Sequence, residues 1–568
     1  MKLRTSYFNI TVLRKNLTRF APLWILATVA QVLLLLMILS RDAARVASEL
    51  AGYPGPITLY NAGYGLICAA CLFGDLFNSR MCNALHAMPM KRGGWLLTNL
   101  ASGAILALIP AVFGAVCGVA LTREHFQVAL LWQAASLLQF VVFFGMAVFC
   151  AMCAGTKLGM FGLYGVLNLT PLLVYVMVYY FYEPMLYGVK FHYDNFLLFT
   201  PFLQLLTTPD FILFEYDKMG SFFRGCNGGA WAYLWICVAI SVVLMVAAWL
   251  IYRRRHLERA GEFITVKPMR YVFLVVFTMG VATFLYAIFD LFIGNTNYLY
   301  LVIGLVLGYF GGAMLLERSA KVFRIKVIGG FAVLCLVFLA SFGITAADPF
   351  GVVAYVPPTD SVEKAFVFAN YAYYDREGWA DQLNWGSSPQ EISDVRQLHQ
   401  NLAEAGMAEN MNRAVSCRVA YQLKDGSSLW RNYWVNVDTE VGQQLQALCS
   451  DFRNVLEVGS LAEAEQTLTY MTAISLEKDQ WQENQLTAQQ KTALLEAILK
   501  DCQAGVMAQD SNFHFDSGIL YYVDLYFESP NPGSKYTSTR RTKTIYVFEE
   551  CTNTLAVLRS MEFEEMDG

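Results

Sequence analysis

Long apolar runs separated by short polar hinges fill the first three-fifths of the chain, after which the pattern changes to short stretches of alternating polar and apolar residues. The apolar runs fall at about 20–40, 57–77, 95–120, 129–154, 158–181, 229–251, 271–292, 298–315 and 325–342. Each is close to the ~20 residues an α-helix needs to cross a bilayer, so the pattern predicts about nine transmembrane helices. Ahead of them, residues 1–19 read as an amphipathic helix on the inner membrane surface. Ile10, Leu13, Leu17 and Phe20 lie on one side, Arg14, Lys15 and Arg19 on the other. Between the fifth and sixth runs, FLLFTPFLQLLTTPDFILFEY is broken by Pro201 and Pro209 into pieces too short to cross. These read as short helices dipping into the outer leaflet, with a surface loop as the alternative.

Beyond residue 342 the periodicity predicts two α/β units. In the first, about 360–455, strands at Val362–Phe368, Ser416–Leu423 and Leu429–Val437 accompany helices at Pro389–Ala405 and Glu440–Arg453. The second, about 468–562, repeats the order with strands at Met471–Leu476, Ile519–Glu528 and Thr542–Phe548 and helices at Ala488–Gln503 and Thr552–Met561. Capping boxes open both first helices, Ser388 with Glu391 and Thr487 with Gln490. A tandem β-α-β-β-α duplication sharing one core is the expectation, with an external cleft between the units that gates or recognises a substrate. Chance likeness of two ordinary α/β stretches is the alternative.

Charge divides the chain at the same place. Residues up to Phe342 carry 25 Lys+Arg against 13 Asp+Glu, and the remainder 16 against 32, or +12 followed by −16. Nucleic acid and anionic lipid are thereby disfavoured as ligands of the acidic part. With the N-terminus inside, 19 of the 25 basic residues fall in cytoplasmic segments and 6 outside. An odd number of spans then makes residues 343–568 an extracellular domain. No cleavable signal is expected, because the first apolar run is itself as long as a crossing. Asp75 and Asp290 fall near span ends, and the lack of ionisable residues at mid-span argues against an ion-coupled carrier.

Catalytic patterns are missing. The six histidines are dispersed, and H-E-x-x-H, G-x-S-x-G and G-x-x-x-x-G-K-[ST] do not occur. The His514/Asp516 pair reads as a solvated loop, and the thirteen cysteines as packing residues or thiols in no recognisable disulfide framework. The chain is expected to be no enzyme and to hold no metal or cofactor.

The polar hinge between the second and third runs, GDLFNSRMCNALHAMPMKRGGWLLTNL from Gly74 to Leu100, carries more information. Asn78 or Ser79 can cap a short helix with Met81, Leu85 and Met88 on one face, and Pro89 ends it. Arg80, Lys91 and Arg92 bracket it. A second basic stretch, Tyr252–Phe263, follows the sixth run.

In its order of parts the chain resembles the permease subunits of ABC-2 type exporters. Leu85, His86, Pro89 and Arg92 look like that family's L-H-x-x-P-x-x-R, and Arg255, Glu258, Arg259 and Glu262 lie in a stretch similar to R-x-x-E-x-A-G of a Gram-positive subgroup. YVPPTD, Tyr355–Asp360, resembles the start of that subgroup's external domain. The likeness covers residues 1–265. It implies a six-helix permease core over 20–252 with a coupling helix at 79–90, to which the basic loop and three further spans of 253–342 are added. Arg80, Met81, Leu85, His86, Met88, Pro89 and Arg92 would dock a cytoplasmic ABC ATPase subunit. It also implies pairing with a second permease subunit, as homodimer or heterodimer, within the lipid bilayer. A drug, peptide or lipid-like substrate would suit the apolar walls. The rival expectation is a membrane-anchored sensor whose extracellular domain captures a ligand and signals to a cytoplasmic partner.

Overall fold

A computed structural model describes residues 8–39, 54–86, 91–122, 126–191, 198–207, 214–216, 223–226, 228–255, 259–293, 298–369, 386–406, 413–477, 480–484, 486–508, 518–530, 538–561 and 564–565. Contacts divide the chain into two compact units, Met1–Tyr179 with His192–Ala340, and Tyr180–Phe191 with Ser341–Gly568.

The first unit is helical. It opens with α1 (Ile10–Arg19), α2 (Ala21–Leu39), α3 (Pro54–Leu72) and the short α4 (Ser79–His86), then α5 (Arg92–Thr122), α6 (Phe126–Cys153) and α7 (Lys157–Met177). The short α8 (Pro201–Thr207) precedes α9 (Gly228–Arg254), α10 (Lys267–Ile293), α11 (Tyr298–Glu317) and α12 (Ile325–Ala347). Among the described residues seven of these, α5, α6, α7 and α9 to α12, are long and apolar enough to cross a membrane. An eighth results if α1 and α2, bent by 60° at their junction, form one span. The chain therefore has the helices of a multi-pass membrane protein. The shortfall from nine lies at the N-terminal end. α2 is apolar and uncharged throughout, with its described side chains ending at Met37, and Thr58, Tyr60, Asn61 and Tyr64 interrupt the apolar run of α3.

Helix α6 is the axis of this unit and the most buried of the long helices. Its apolar residues point in every direction because α3, α5, α7 and α9 surround it. Contact with α3 is close enough that a Cβ on Gly65 would stand 2.9 Å from the Phe144 amide nitrogen. Phe140, Phe143, Ala147 and Cys150 fill the centre. Helices α10 and α11 make a second close pair, Gly304 and Gly308 lying against Ala282 and Thr278, the small-residue spacing that lets membrane helices approach. Helix α1 is docked on α5, where Asn16 Nδ2 donates to Asn99 Oδ1 at 2.8 Å and to Ser102 Oγ at 3.1 Å. In the broken loop the described residues of the first half include a short helix, α8. α8 packs on α3, where Thr58 Oγ1 donates to the Leu205 carbonyl at 3.1 Å. Of the second half, residues 208–213 lie outside the described residues, and its last three form strand β1 (Phe214–Tyr216), paired antiparallel with β2 (Phe223–Cys226), where a helix was expected.

The second unit holds two antiparallel sheets. β3 (Val362–Ala369), β4 (Ala414–Leu423) and β5 (Ser428–Asn436) lie in that order, with α13 (Pro389–Ala405) between the first two strands and α14 (Glu440–Cys449) after the last. The short α15 (Phe452–Leu456) and α16 (Leu461–Thr467) lead to β6 (Leu468–Ser475) and β7 (Gln480–Asn484). Helix α17 (Ala488–Gln503), β8 (Ile519–Pro530), β9 (Ser538–Phe548), α18 (Thr552–Arg559) and β10 (Glu564–Glu565) complete the chain. The second sheet runs β10-β7-β6-β8-β9. Both capping boxes form, at Ser388 and at Thr487. The helix expected through Arg453 is split, because the Asp451 side chain caps a new helix by accepting from the Arg453 amide at 2.9 Å. Cys417, Cys449, Cys502 and Cys551 are buried and unbridged.

Residues 180–191, which follow α7, belong to this second unit. Tyr182 stacks on Phe342 at 5.1 Å and its hydroxyl lies 2.7 Å from Ser341 Oγ. The Asn432 amide donates to the Gly188 carbonyl at 2.9 Å, and the Tyr187 hydroxyl to the Trp434 carbonyl at 3.0 Å. Gly188 has φ +82° and faces the Tyr433 ring, which a Cβ would overlap, so both its conformation and its contact require glycine.

Candidate partner-docking site at the helix ends

One end of the helical unit gathers the hinge after α3, the connection from α6 to α7 and the loop after α9. Helix ends leave carbonyls without partners, and here arginines supply them. Arg255, only 7% exposed, donates through Nη1 to the Ala151 and Met152 carbonyls at 3.1 and 3.2 Å. Its Nη2 reaches the Leu76 carbonyl at 3.3 Å. Arg92 donates to the Arg253 and Arg255 carbonyls at 3.3 and 3.1 Å. Arg259 donates to the Thr265 carbonyl at 2.8 Å. Between these, Ala154 and Ile264 form an antiparallel bridge, and the Thr265 amide and hydroxyl both bond the Cys153 carbonyl at 2.8 and 2.9 Å. Asn99 Nδ2 closes α3 by donating to the Leu72 carbonyl at 3.2 Å. The result is a rigid platform beneath the hinge.

Helix α4 stands on that platform. Asn78 accepts from the Arg80 amide at 3.0 Å and so caps it. Among its described side chains Cys82 is buried, while Ser79, Arg80, Met81, Asn83 and Ala84 are exposed. Met81, 48% exposed, is the one member of the expected apolar edge whose side chain is described. The side chains of Leu85 and His86 lie outside the described residues, as do Met88, Pro89 and Glu258. Glu262 is exposed. The basic residues thus separate into two kinds. Arg92, Arg255 and Arg259 are engaged in stitching carbonyls, and Arg255 is out of a partner's reach. Arg80 faces outward.

A second polar feature lies inside the bundle, on α2, α3 and α6. Gln31 Nε2 donates to Gln133 Oε1 at 2.7 Å. Asn61 Nδ2 donates to Ser136 Oγ at 3.1 Å and Gln139 Oε1 at 3.2 Å. All five are buried. Gln133, Ser136 and Gln139 recur at i, i+3 and i+6, so a helix places them on one face. Sequence reasoning looked for charges at mid-span and passed over these amides, although their spacing was available. Among the described residues no three His, Cys, Asp or Glu side chains converge as metal ligands would.

No family model, no curated protein and no solved structure matches the chain.

Proposed function

We propose that the chain is the membrane (permease) subunit of an ATP-driven exporter of the ABC-2 type, energised by a separate cytoplasmic ATPase subunit and paired with a second permease. The observation that carries this reading is α4, a short helix exposing Arg80 and Met81 while Cys82 holds it to a platform of stitched helix ends. A push on α4 reaches α3 and α5 directly, and through them α6. Such a rigid-body displacement is the kind of input that switches a packed bundle between two arrangements. A hydrophobic or amphipathic substrate suits the apolar walls. No step of ATP chemistry is assigned to this chain.

In this reading α2 and α3 join the seven long helices as crossings, α4 faces the cytoplasm and the α/β unit is extracellular. The tie of Tyr182 to Ser341, near the end of α12, fits four crossings, α9 to α12, that return the chain to the side where α7 ends, and the distribution of basic residues makes that side the outer one in this reading. An internal duplication is part of the proposal, supported by β3-β4-β5 and β6-β8-β9 following the same path around one helix.

Two experiments test it. A cysteine replacing Ser79 in a cysteine-free chain is expected to be labelled only after permeabilisation, and labelling in intact cells would reverse the orientation. Met81→Glu or Leu85→Glu is expected to abolish co-purification with a Walker-motif ATPase or to uncouple hydrolysis from transport, the loss of a buried anchor costing about 2–4 kcal/mol. An intact complex with unchanged coupling would remove the docking assignment.

A further inference from the structure

An open groove of about 450 Å³ runs between the segment joining α14 to α16 and the last turn of α17. It therefore lies between the two α/β halves of the second unit. The volume is within the ~300–1,000 Å³ of sites that take a drug-sized ligand. Its walls are of two kinds. Phe452, Leu461 and Leu499 give an apolar surface, while Ser450, Asp451 and Arg453 give a polar one. Ser450 is 3% exposed and its hydroxyl is shut off from the groove, so the polar contacts open to a ligand are those of Asp451 and Arg453.

Charge selects the ligand's sign. Arg453 pairs with Asp451 at 3.0 Å and with Glu391, so two carboxylates face one guanidinium and the triad keeps one negative charge. The Asp451 carboxyl is held below the usual range, against the opposing effect of its burial, by hydrogen bonds from Arg453 and the guanidinium's charge. The surrounding segment, 343–568, carries a net −16, a field that concentrates cations.

We propose that this groove binds a short cationic, amphipathic peptide, its apolar side chain against Phe452, Leu461 and Leu499 and its positive charge beside Asp451. The site is independent of the exporter assignment. It gives the extracellular part a ligand of its own, whether the inner partner is an ATPase or a signalling protein.

The test uses the full chain in nanodiscs of uncharged lipid, with leucyl-argininamide as probe and leucyl-glutamate as its anionic counterpart, followed by titration calorimetry. Saturable binding of the cationic probe is expected, with at least tenfold discrimination against the anionic one. Ala447→Trp, at an exposed position on the groove wall, should fill the groove and abolish binding. Gln503→Trp, also exposed, fills it from the opposite wall if the first variant fails to fold. Asp451→Asn keeps a helix-capping side chain and should weaken binding about tenfold. Binding unchanged in the correctly folded tryptophan variants, or equal binding of both probes, would overturn the proposal.

Discussion

The long helices of the first unit and the α/β unit bury polar groups by opposite means, with Arg255 buried only beyond the helix ends. In the helical unit's long helices the buried polar residues are all neutral among the described residues: Gln31, Thr58, Asn61, Asn99, Ser102, Gln133, Ser136, Gln139, Asn168, Ser241 and their like. In the α/β unit ionisable groups are buried as well, including His399, Arg418, Arg431, Glu457 and Asp501. Glu457 pairs with Lys543 at 2.5 Å, and Asp501 accepts from the Asn553 and Thr554 amides and side chains at 2.6 to 3.2 Å. The difference reflects what surrounds each unit. A helix bundle in lipid has no water within reach to screen an unbalanced charge, so amides and hydroxyls do the linking. A water-bathed domain can bury a charge provided that fixed donors replace its hydration.

The largest expected effect is at Asp501. Asp501→Ala removes the acceptor for four hydrogen bonds at the start of α18 and leaves the two Thr554 donors buried and unpaired, those of the exposed Asn553 turning to water, which should destabilise the α/β unit by about 3–4 kcal/mol. Denaturant titration of the full chain, read by the unit's tryptophans, checks it. A loss under 1 kcal/mol would mean that the buried charge is merely tolerated.

His399 comes next. It is fully buried between α13 and the sheet, with Nδ1 3.1 Å from the Tyr421 hydroxyl and Nε2 without a partner. Burial, and then the positive charges of Arg431 and Arg396, push its pKa down to about 4. The folded state therefore refuses a proton that the unfolded state accepts. Stability is full above about 6.5 and is lost as pH falls towards about 4, by up to about 3 kcal/mol. His399→Phe should flatten that part of the stability profile between pH 6.5 and 4. A profile identical to the parent's would place the acid sensitivity elsewhere.

The smallest effect belongs to the amide ladder. Gln133→Leu should cost under about 1 kcal/mol, as single hydrogen bonds between membrane helices do. Gln133→Glu should cost more, about 2.5–3.5 kcal/mol if the carboxylate stays charged. Thermal inactivation in detergent compares the two. Equal losses would show that the ladder accepts charge, and the contrast between the units would fail.

Legibility in the sequence followed the range of the signal. Helices α13 and α17 begin where Ser388 and Thr487 say they should, because a capping box is complete within four residues. Strand β7 was missed because five residues, QWQEN, are too short for an alternation to stand out. The stitching role of Arg255 was not legible, since its carbonyl partners lie 103, 104 and 179 residues away. Basic residues beside a span read equally well as partner-facing. The groove's lining was not legible, because it depended on where α14 broke.

The membership of residues 180–191 in the α/β unit has a consequence for synthesis. Tyr187 and Gly188 leave the ribosome roughly 150 residues before Ser341, and about 240 before the strand they meet. At ~5–20 residues per second this segment waits on the order of ten seconds or more, its aromatic residues uncovered, until β5 has been made. The unit cannot close from its C-terminal portion alone. A fragment beginning after residue 342 would lack the strip that covers Tyr433, and the early loop would lack its cover if translation stopped before β5.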